Sequence, residues 1–294
     1  MRVTALASVA CGLLSSLAYA DGVEAPPKLV AAPSGWTYQF TPYGWVPWVS
    51  GDAVVRGRSF SVDVTPAEVI EDLRFAWMSY QQAKNGPLTL FADVIYADEA
   101  SGGSFFRSRT FSPHVAGSLG ASLSDSYRYW TVEAGGTYEI ASWNSHGARY
   151  ATPDTEVELL AGGRYWRQDI NVGVALAGTL NIDGLVISGD RAIARSGTHE
   201  WIDPFIGARI RFQPARGEEV IVRGDIGGFG AGSKFSWQAL ATYNWQICTQ
   251  GPMLIDGYAG WRALQVDYET GAGVERYEFD VLQQGPVMGF TGRF

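Results

Sequence analysis

Between Ile202 and Phe212 every second residue is apolar (Ile202, Pro204, Ile206, Ala208, Ile210, Phe212), while Asp203, Phe205, Gly207, Arg209 and Arg211 lie between them. Side chains along an extended strand point alternately to opposite faces, so this stretch makes a strand with one greasy face and one charged face. The same division recurs along the chain. Val220, Val222 and Ile226 oppose Glu219, Arg223 and Asp225; Trp237, Ala239, Ala241, Tyr243 and Trp245 oppose Gln238, Thr242 and Asn244; Trp130, Val132, Ala134, Tyr138 and Ile140 oppose Thr131, Glu133, Thr137 and Glu139. The 36 glycines, without a collagen period, suit strands and turns.

An apolar face needs either a protein core or lipid. A β-sandwich would press these faces together between two sheets. Three features favour a membrane barrel. No ionisable residue falls at mid-strand on the apolar faces, where Arg or Lys would cost ~2–4 kcal/mol in a bilayer. Trp36, Trp48, Tyr96, Trp130, Tyr138, Trp237, Trp245 and Trp261 stand near the ends of those faces, as rings at the two interfaces would. The chain closes on an alternation of its own, Pro286, Met288, Phe290, Gly292 and Phe294, and Met288, Phe290 and Phe294 read as the C-terminal insertion signal of an outer-membrane barrel.

Residues 1–20 carry Arg2, an apolar run and Ala18-Tyr19-Ala20, the pattern of a secretory signal peptide cut after Ala20. The rival reading, a lipoprotein acylated at Cys11, is disfavoured because Ser8 stands where an aliphatic residue is usual. Cleavage leaves Cys248 alone, so no internal disulfide forms. Residues 21–34, with adjacent prolines, read as a flexible periplasmic leader, and 35–294 as one barrel domain. A formal charge of -8 gives no grip on a phosphate backbone, so nucleic acid is not an expected partner.

Connection lengths set the strand number. Short connections at 84–87, 213–218 and 248–252, and a longer one at 144–154, are placed in the periplasm. Those at 50–72, 99–126, 169–198, 229–233 and 268–276 are placed outside. The expectation is an all-β, single antiparallel transmembrane barrel of ten strands, with eight or twelve as alternatives and both termini periplasmic. Segment 36–48 is read as one strand, 73–84 as the weakest, Pro66–Leu73 as a helical turn over the mouth, and Val281–Gly285 as a bulge where the alternation slips.

The segments YGWVPWVSG (43–51), MSYQQAKNGPLTLFADVIYAD (78–98), ELLAGGRYW (158–166), WIDPFIGARIRF (201–212), RGDIGGFGAGSKFSWQALATYNW (223–245), GWRALQVDYE (260–269) and QQGPVMGFTGRF (283–294) resemble a widespread group of Gram-negative outer-membrane β-barrel proteins without an assigned activity. That resemblance implies the fold and the outer membrane of a Gram-negative bacterium as location. It brings no catalytic motif.

The inward faces gather Asp93, Glu133, Glu139, Glu156, Glu158, Asp203, Asp225 and Asp256 with Arg164, Arg209, Arg211, Arg223 and Arg262. Mixed signs in a narrow barrel suit a lumen charge network of ion pairs better than a filter of one sign. His199, four residues before Asp203 on the same face, is the histidine best placed for rim chemistry, but Gly197-Thr198-His199 lacks the Asp-x-His of the omptin proteases. The run Gly227-Gly228-Phe229-Gly230-Ala231-Gly232 leads into a strand and reads as a tight hairpin rather than a nucleotide loop. No spacing suggests a metal or another cofactor. The functional expectation is a structural barrel or narrow small-solute channel, without enzymatic activity. The alternatives are a rim enzyme acting on lipid or peptide, and a hydrophobe transporter marked by a lateral gap between strands. Expected partners are outer-membrane lipids, the barrel-assembly machinery and small solutes.

Overall fold

The computed structural model describes residues 35–55, 58–101, 117–144, 154–182 and 185–294. The expected signal peptide and leader, His114, His146 and most of the 144–154 connection lie outside these residues. Strands are β1 (Thr37–Trp45), β2 (Trp48–Val55), β3 (Arg58–Val64), β4 (Leu73–Asn85), β5 (Leu88–Ser101), β6 (Gly117–Trp143), β7 (Thr155–Ile182), β8 (Leu185–Phe212), β9 (Glu218–Gly227), β10 (Phe235–Gln250), β11 (Met253–Thr270) and β12 (Tyr277–Arg293). A helix, α1 (Pro66–Asp72), sits between β3 and β4.

The wall is a closed ten-stranded antiparallel barrel, β1 followed by β4 through β12 in sequence order, and β12 pairs back onto β1. Tyr38 and Phe294 exchange both backbone hydrogen bonds, at 2.8 and 3.0 Å, and seal the cylinder where the chain ends. That seam lies on the side of the short turns at Gly86, 213–217 and Gly251. Closure leaves every spanning strand paired within the band that water does not reach.

The two faces of the strands part as the alternation predicts. Ile202, Ile206, Ile210, Val222, Ile226, Leu159, Met288 and Phe290 are exposed on the outside, while Glu133, Glu158, Arg164 and Asp225 are buried within. One ring of aromatics, including Tyr38, Tyr138 and Trp245, circles the short-turn end. A second, including Trp48, Trp77, Tyr96, Trp130 and Trp261, circles the other. Between them lies the membrane span. Above the second ring the outer face turns polar, with Lys234 bonded to Glu269, Arg276 to Glu269 and Glu278, and Arg167 to Asp169 and Glu200.

The expected bulge in the last strand is not there. The pairing of β12 with β11 runs in unbroken register from Leu254–Arg293 to Thr270–Tyr277. Odd-numbered residues point inward along most of its length, and what changes is their character. Tyr277, Phe279 and Val281 are buried in a core above the bilayer, whereas Met288 and Phe290 on the opposite phase meet lipid. A strand that leaves the membrane exchanges its apolar face without shifting register, and the sequence pattern mimics a slip. The bulges lie at Gln246/Cys248, Glu139/Ala141 and Leu73/Phe75.

Three long loops are also corrected. The stretch 50–72 folds into the β2–β3 hairpin and α1. In 99–126, β5 continues to Ser101 and β6 starts at Gly117; in 169–198, β7 runs to Ile182 and pairs with β8 from Leu185. The sheet rises beyond the bilayer, where an apolar outer face is no longer required and the alternation that marks a lipid-facing strand fades.

Segment 36–48 divides. β1 pairs with the lower half of β12 and β2 with the upper half, and the break falls at Val46–Pro47, across from Pro286. Proline donates no hydrogen bond to a ladder, and Pro47 and Pro286, one register step apart on the two strands, interrupt it. Pro42 ends the other ladder of β1, whose pairing with β4 stops at Pro42–Ser79. Helix α1 follows from Thr65-Pro66-Ala67-Glu68: Thr65 and Glu68 form a reciprocal capping box, Pro66 takes the first turn, and Val69 is buried.

Val222→Lys places a charge in the lipid-facing band, and the expected loss is ~2–4 kcal/mol in reversible urea unfolding from lipid vesicles. Asp52→Lys, on the exposed hairpin above the aromatic ring, is expected to change stability by less than ~0.5 kcal/mol. Equal losses at the two positions would contradict the assigned membrane boundary.

Candidate functional site: a charged belt beneath an apolar cavity

The inward phase of β5, β6, β7, β9 and β11 brings Asp93, Glu133, Arg164, Arg223, Asp225 and Arg262 to one level of the lumen. Glu133 is the hub. Its carboxylate accepts from Arg164 Nε at 2.8 Å, Arg223 Nη2 at 2.7 Å and Arg262 Nη2 at 3.0 Å. Asp225 takes Arg164 at 2.8 Å and Arg223 at 2.9 Å, and Asp93 takes Arg262 at 2.8 Å and the Tyr43 hydroxyl at 2.8 Å.

Guanidinium planes in this belt also lie on rings. Arg164 and Arg223 stand 5.1 and 5.4 Å from the Phe205 centroid, Arg223 5.1 Å from Phe91, and Arg262 5.1 Å from Trp45. Gly135 and Gly162, paired across β6 and β7, make the room. A Cβ on Gly162 would fall 2.7 Å from the Phe205 ring, and one on Gly135 3.1 Å from the Phe91 ring.

Nearer the short-turn end, Arg209 bonds Glu158 and reaches Thr137 at 2.9 Å. Arg211 stands 3.9 Å from Glu219, and Glu156 accepts from Lys84 at 2.6 Å with Glu139 4.0 Å from the same ammonium. Arg293 joins Glu219 and Asp256, each at 2.7 Å. Lys84 and Arg293 were not among the sequence candidates, although Lys84 falls on the inward phase of β4, two residues from Gln82. Asp203 has a different duty. It accepts the Ser233 backbone N–H at 2.6 Å and the Trp201 indole N–H at 3.3 Å, and so fixes the glycine-rich hairpin 228–234 to β8. His199 lies flat on Tyr277, ring centroids 3.6 Å apart, and the Asp203 contacts lead to Ser233 and Trp201. Met288, Phe290 and Phe294 project outward at the C-terminal strand.

Above the belt the lumen changes character. Trp45, Ile95, Tyr129, Trp166, Leu264 and Val281 point inward and pack together, which a uniformly polar interior did not anticipate. The legible signal was the inverted phase of Tyr277, Phe279 and Val281. Within this apolar layer is a cavity of about 130 Å³, bounded by Trp45, Ile95, Tyr129, Tyr277 and Phe279 and, on one side, by Val46, Pro47, Val69, Leu73 and Met78. That side is the seam. Above Pro42–Ser79 neither β1 nor β2 pairs with β4, and the Trp45 N–H, deprived of a ladder carbonyl, donates to Met78 Sδ at 3.2 Å. The seam stands between Trp48 and Trp77, at the outer aromatic ring, and side chains rather than backbone hydrogen bonds close it. Below lie a polar cavity of about 50 Å³ inside the belt, lined by Tyr43, Asp93, Arg223 and Arg262, and a mouth of about 600 Å³ at the short-turn end, lined by Lys84, Glu156, Arg211 and Arg293.

Glu133→Gln leaves three buried guanidinium groups short of a counter-charge. The expected destabilisation is about 3–5 kcal/mol by urea unfolding, against ~0–1 kcal/mol for Glu156→Gln, whose Lys84 pair is partly exposed.

No family model matches the chain, and no curated protein does. Among solved structures it is similar to Ail, the attachment invasion locus protein of Yersinia pestis, in complex with the heparin analogue sucrose octasulfate (TM-score 0.32, 10% identity, 89% of this chain and 100% of that one). It is similar also to Neisserial surface protein A (TM-score 0.29, 9% identity, 88% and 96%) and to the Pseudomonas putida toluene transporter TodX (TM-score 0.29, 9% identity, 89% and 90%). At such distances the likeness carries no role across. The closed wall, the lipid-facing band and its two aromatic rings make this chain a β-barrel of the outer-membrane type.

Proposed function

We propose that this protein, seated in the outer membrane of a Gram-negative cell, is a non-conducting barrel that takes small apolar molecules from the lipid side of the outer leaflet into its upper lumen. The observation that carries the reading is the cavity itself: apolar, above the charged belt, and separated from lipid by a seam without backbone pairing. Burying an apolar solute there gains about 25 cal/mol per Å² removed from water, and in a preformed cavity little is spent on rearrangement. A cavity of this size, lined by hydrocarbon and rings, suits one aromatic ring or a short alkyl chain.

The belt supports the non-conducting half of the reading. An ion moving along the axis would have to separate guanidinium groups from Glu133, Asp225 and Asp93, whose pairing is worth most where water is scarce. Prolines at 42 and 47 leave fewer unmade donors on the unpaired edge, since each lacks an N–H.

Benzene added to the purified barrel in lipid nanodiscs is expected to bind saturably, read by Trp fluorescence or ligand-observed NMR. Ala97→Phe, which fills the cavity from β5, is expected to weaken binding by about tenfold or more. In planar bilayers the wild-type protein is expected to carry no steady current; sustained channel openings would overturn the closed belt, and unsaturable benzene uptake unaffected by Ala97→Phe would overturn the cavity as a binding site.

A further inference from the structure

One carboxyl group stands in the wall of this apolar cavity, and no basic side chain accompanies it among the lining residues described. Glu99 lies on β5 three residues beyond Tyr96 of the outer aromatic ring and one beyond the outward Asp98, which places it above the membrane span. Its side chain points inward and is buried, with 8% of its surface exposed. Oε2 has no hydrogen-bond partner among the described residues. A buried carboxyl group left without a protein donor costs free energy that a donor from a ligand, or a proton, offsets.

The neighbours of Glu99 come from three elements. Leu73, where α1 passes into β4, is its cross-strand partner on one side and Tyr127 of β6 on the other. Among the described residues the charged groups bearing on it are Asp72 at the end of α1 and Asp98 on its own strand, both negative. The Tyr127 phenol couples to Glu99 from β6. Tyr127, Tyr277 and Phe279 present aromatic side chains to the same cavity.

From this arrangement, and resting on the cavity as an apolar binding site, we infer that the barrel selects small organic amines: the protonated nitrogen pairs with Glu99 against the aromatic side chains, and an apolar group about the size of one ring fills the space beside them. A carboxylate-bearing ligand of the same shape meets the Glu99 carboxyl and, among the described lining residues, no cation. A neutral ligand without a donor fills the cavity but leaves Oε2 unsatisfied, and a hydroxyl can donate to Oε2 but brings no charge. A desolvated ammonium gains from both a carboxylate and aromatic faces. Selectivity of this origin depends on pH with a defined sign. Burial first, then Asp72 and Asp98, push the Glu99 carboxyl up to about 7. Below that value the empty site holds a neutral acid, which pairs poorly with an ammonium; above it the carboxylate is present. Amine affinity therefore rises as pH climbs through about 7, while the affinity of a neutral isostere does not follow it.

The test compares benzylamine, benzyl alcohol and benzoate by calorimetry on the full barrel in nanodiscs of zwitterionic lipid. Benzylamine is expected to bind at least about tenfold tighter than benzyl alcohol at about pH 8, the advantage of one charge-assisted contact, and to lose most of that lead at about pH 5.5. Glu99→Gln is expected to collapse the amine-to-alcohol ratio to near one at both pH values. An intact barrel is verified by its gel mobility with and without heating. Equal affinities for amine and alcohol in the wild type, or a ratio that survives Glu99→Gln, would overturn the amine preference and leave the apolar site standing. Binding of none of the three compounds, together with failure to bind benzene, would remove the site itself.

Discussion

Backbone hydrogen bonding within a medium that offers no substitute partner is the constraint on which this structure depends. In hydrocarbon an unpaired N–H or C=O costs several kcal/mol, so a sheet must close on itself, and closure through the Tyr38–Phe294 contact fixes the barrel. Where β1 parts from β4 the wall departs from that rule. Pro42 and Pro47 remove donors from the unpaired edge, and the Trp45 N–H is given to the Met78 sulfur. The departure falls at the outer aromatic ring, where the bilayer gives way to its interface.

The lumen divides by the same physics. Charged groups at mid-membrane depth survive because they meet an opposite charge or a hydrogen-bond donor: Glu133 serves three arginines, and the rings of Phe91, Phe205 and Trp45 cover guanidinium faces that would otherwise be bare. Above, where both faces of the strands leave the hydrocarbon, the usual polarity of a protein returns. Apolar side chains turn inward to a core around Trp166, Leu264 and Val281, and ion pairs such as Arg276–Glu278 decorate the outside. The barrel is thus an inverted protein stacked beneath a conventional one, and the cavity lies in the conventional storey.

Much of the lower storey was legible from residues alone. The alternation at 202–212 and 234–247 gave the lipid face because its period is a property of the extended chain, and the inward charges followed as the complement. What the alternation could not separate was a change of phase from a change of environment. Val281–Gly285 looked like a bulge because Tyr277, Phe279 and Val281 are apolar on the inward phase, while Met288 and Phe290 are apolar on the outward one. The cavity was hidden for the same reason, since its lining is assembled from strands far apart in sequence, and Glu99 fell within a stretch read as loop. Asp203 shows the opposite limit. Its inward phase was legible, but its partner is a backbone N–H of the 228–234 hairpin, and no residue-type pattern announces a main-chain donor.

A closed belt and a weakened seam also make sense of each other. A barrel that admits apolar solutes at the level of the lipid interface would leak ions if its axis were open, because a solute entering the upper lumen displaces the side chains that otherwise fill it. Under that proposal, an axis held shut by Glu133 and its three arginines lets the upper wall be loose, since Trp45, which lines the cavity on one side and covers Arg262 on the other, stands between the two. Looseness above is inexpensive in turn. The β2–β3 hairpin and α1, which flank the seam, lie outside the hydrocarbon, and their unpaired edges meet water or side chains rather than lipid tails. On the proposed reading the two halves of the lumen divide one requirement between them: the belt would keep the permeability barrier, and the storey above it would be free to open sideways.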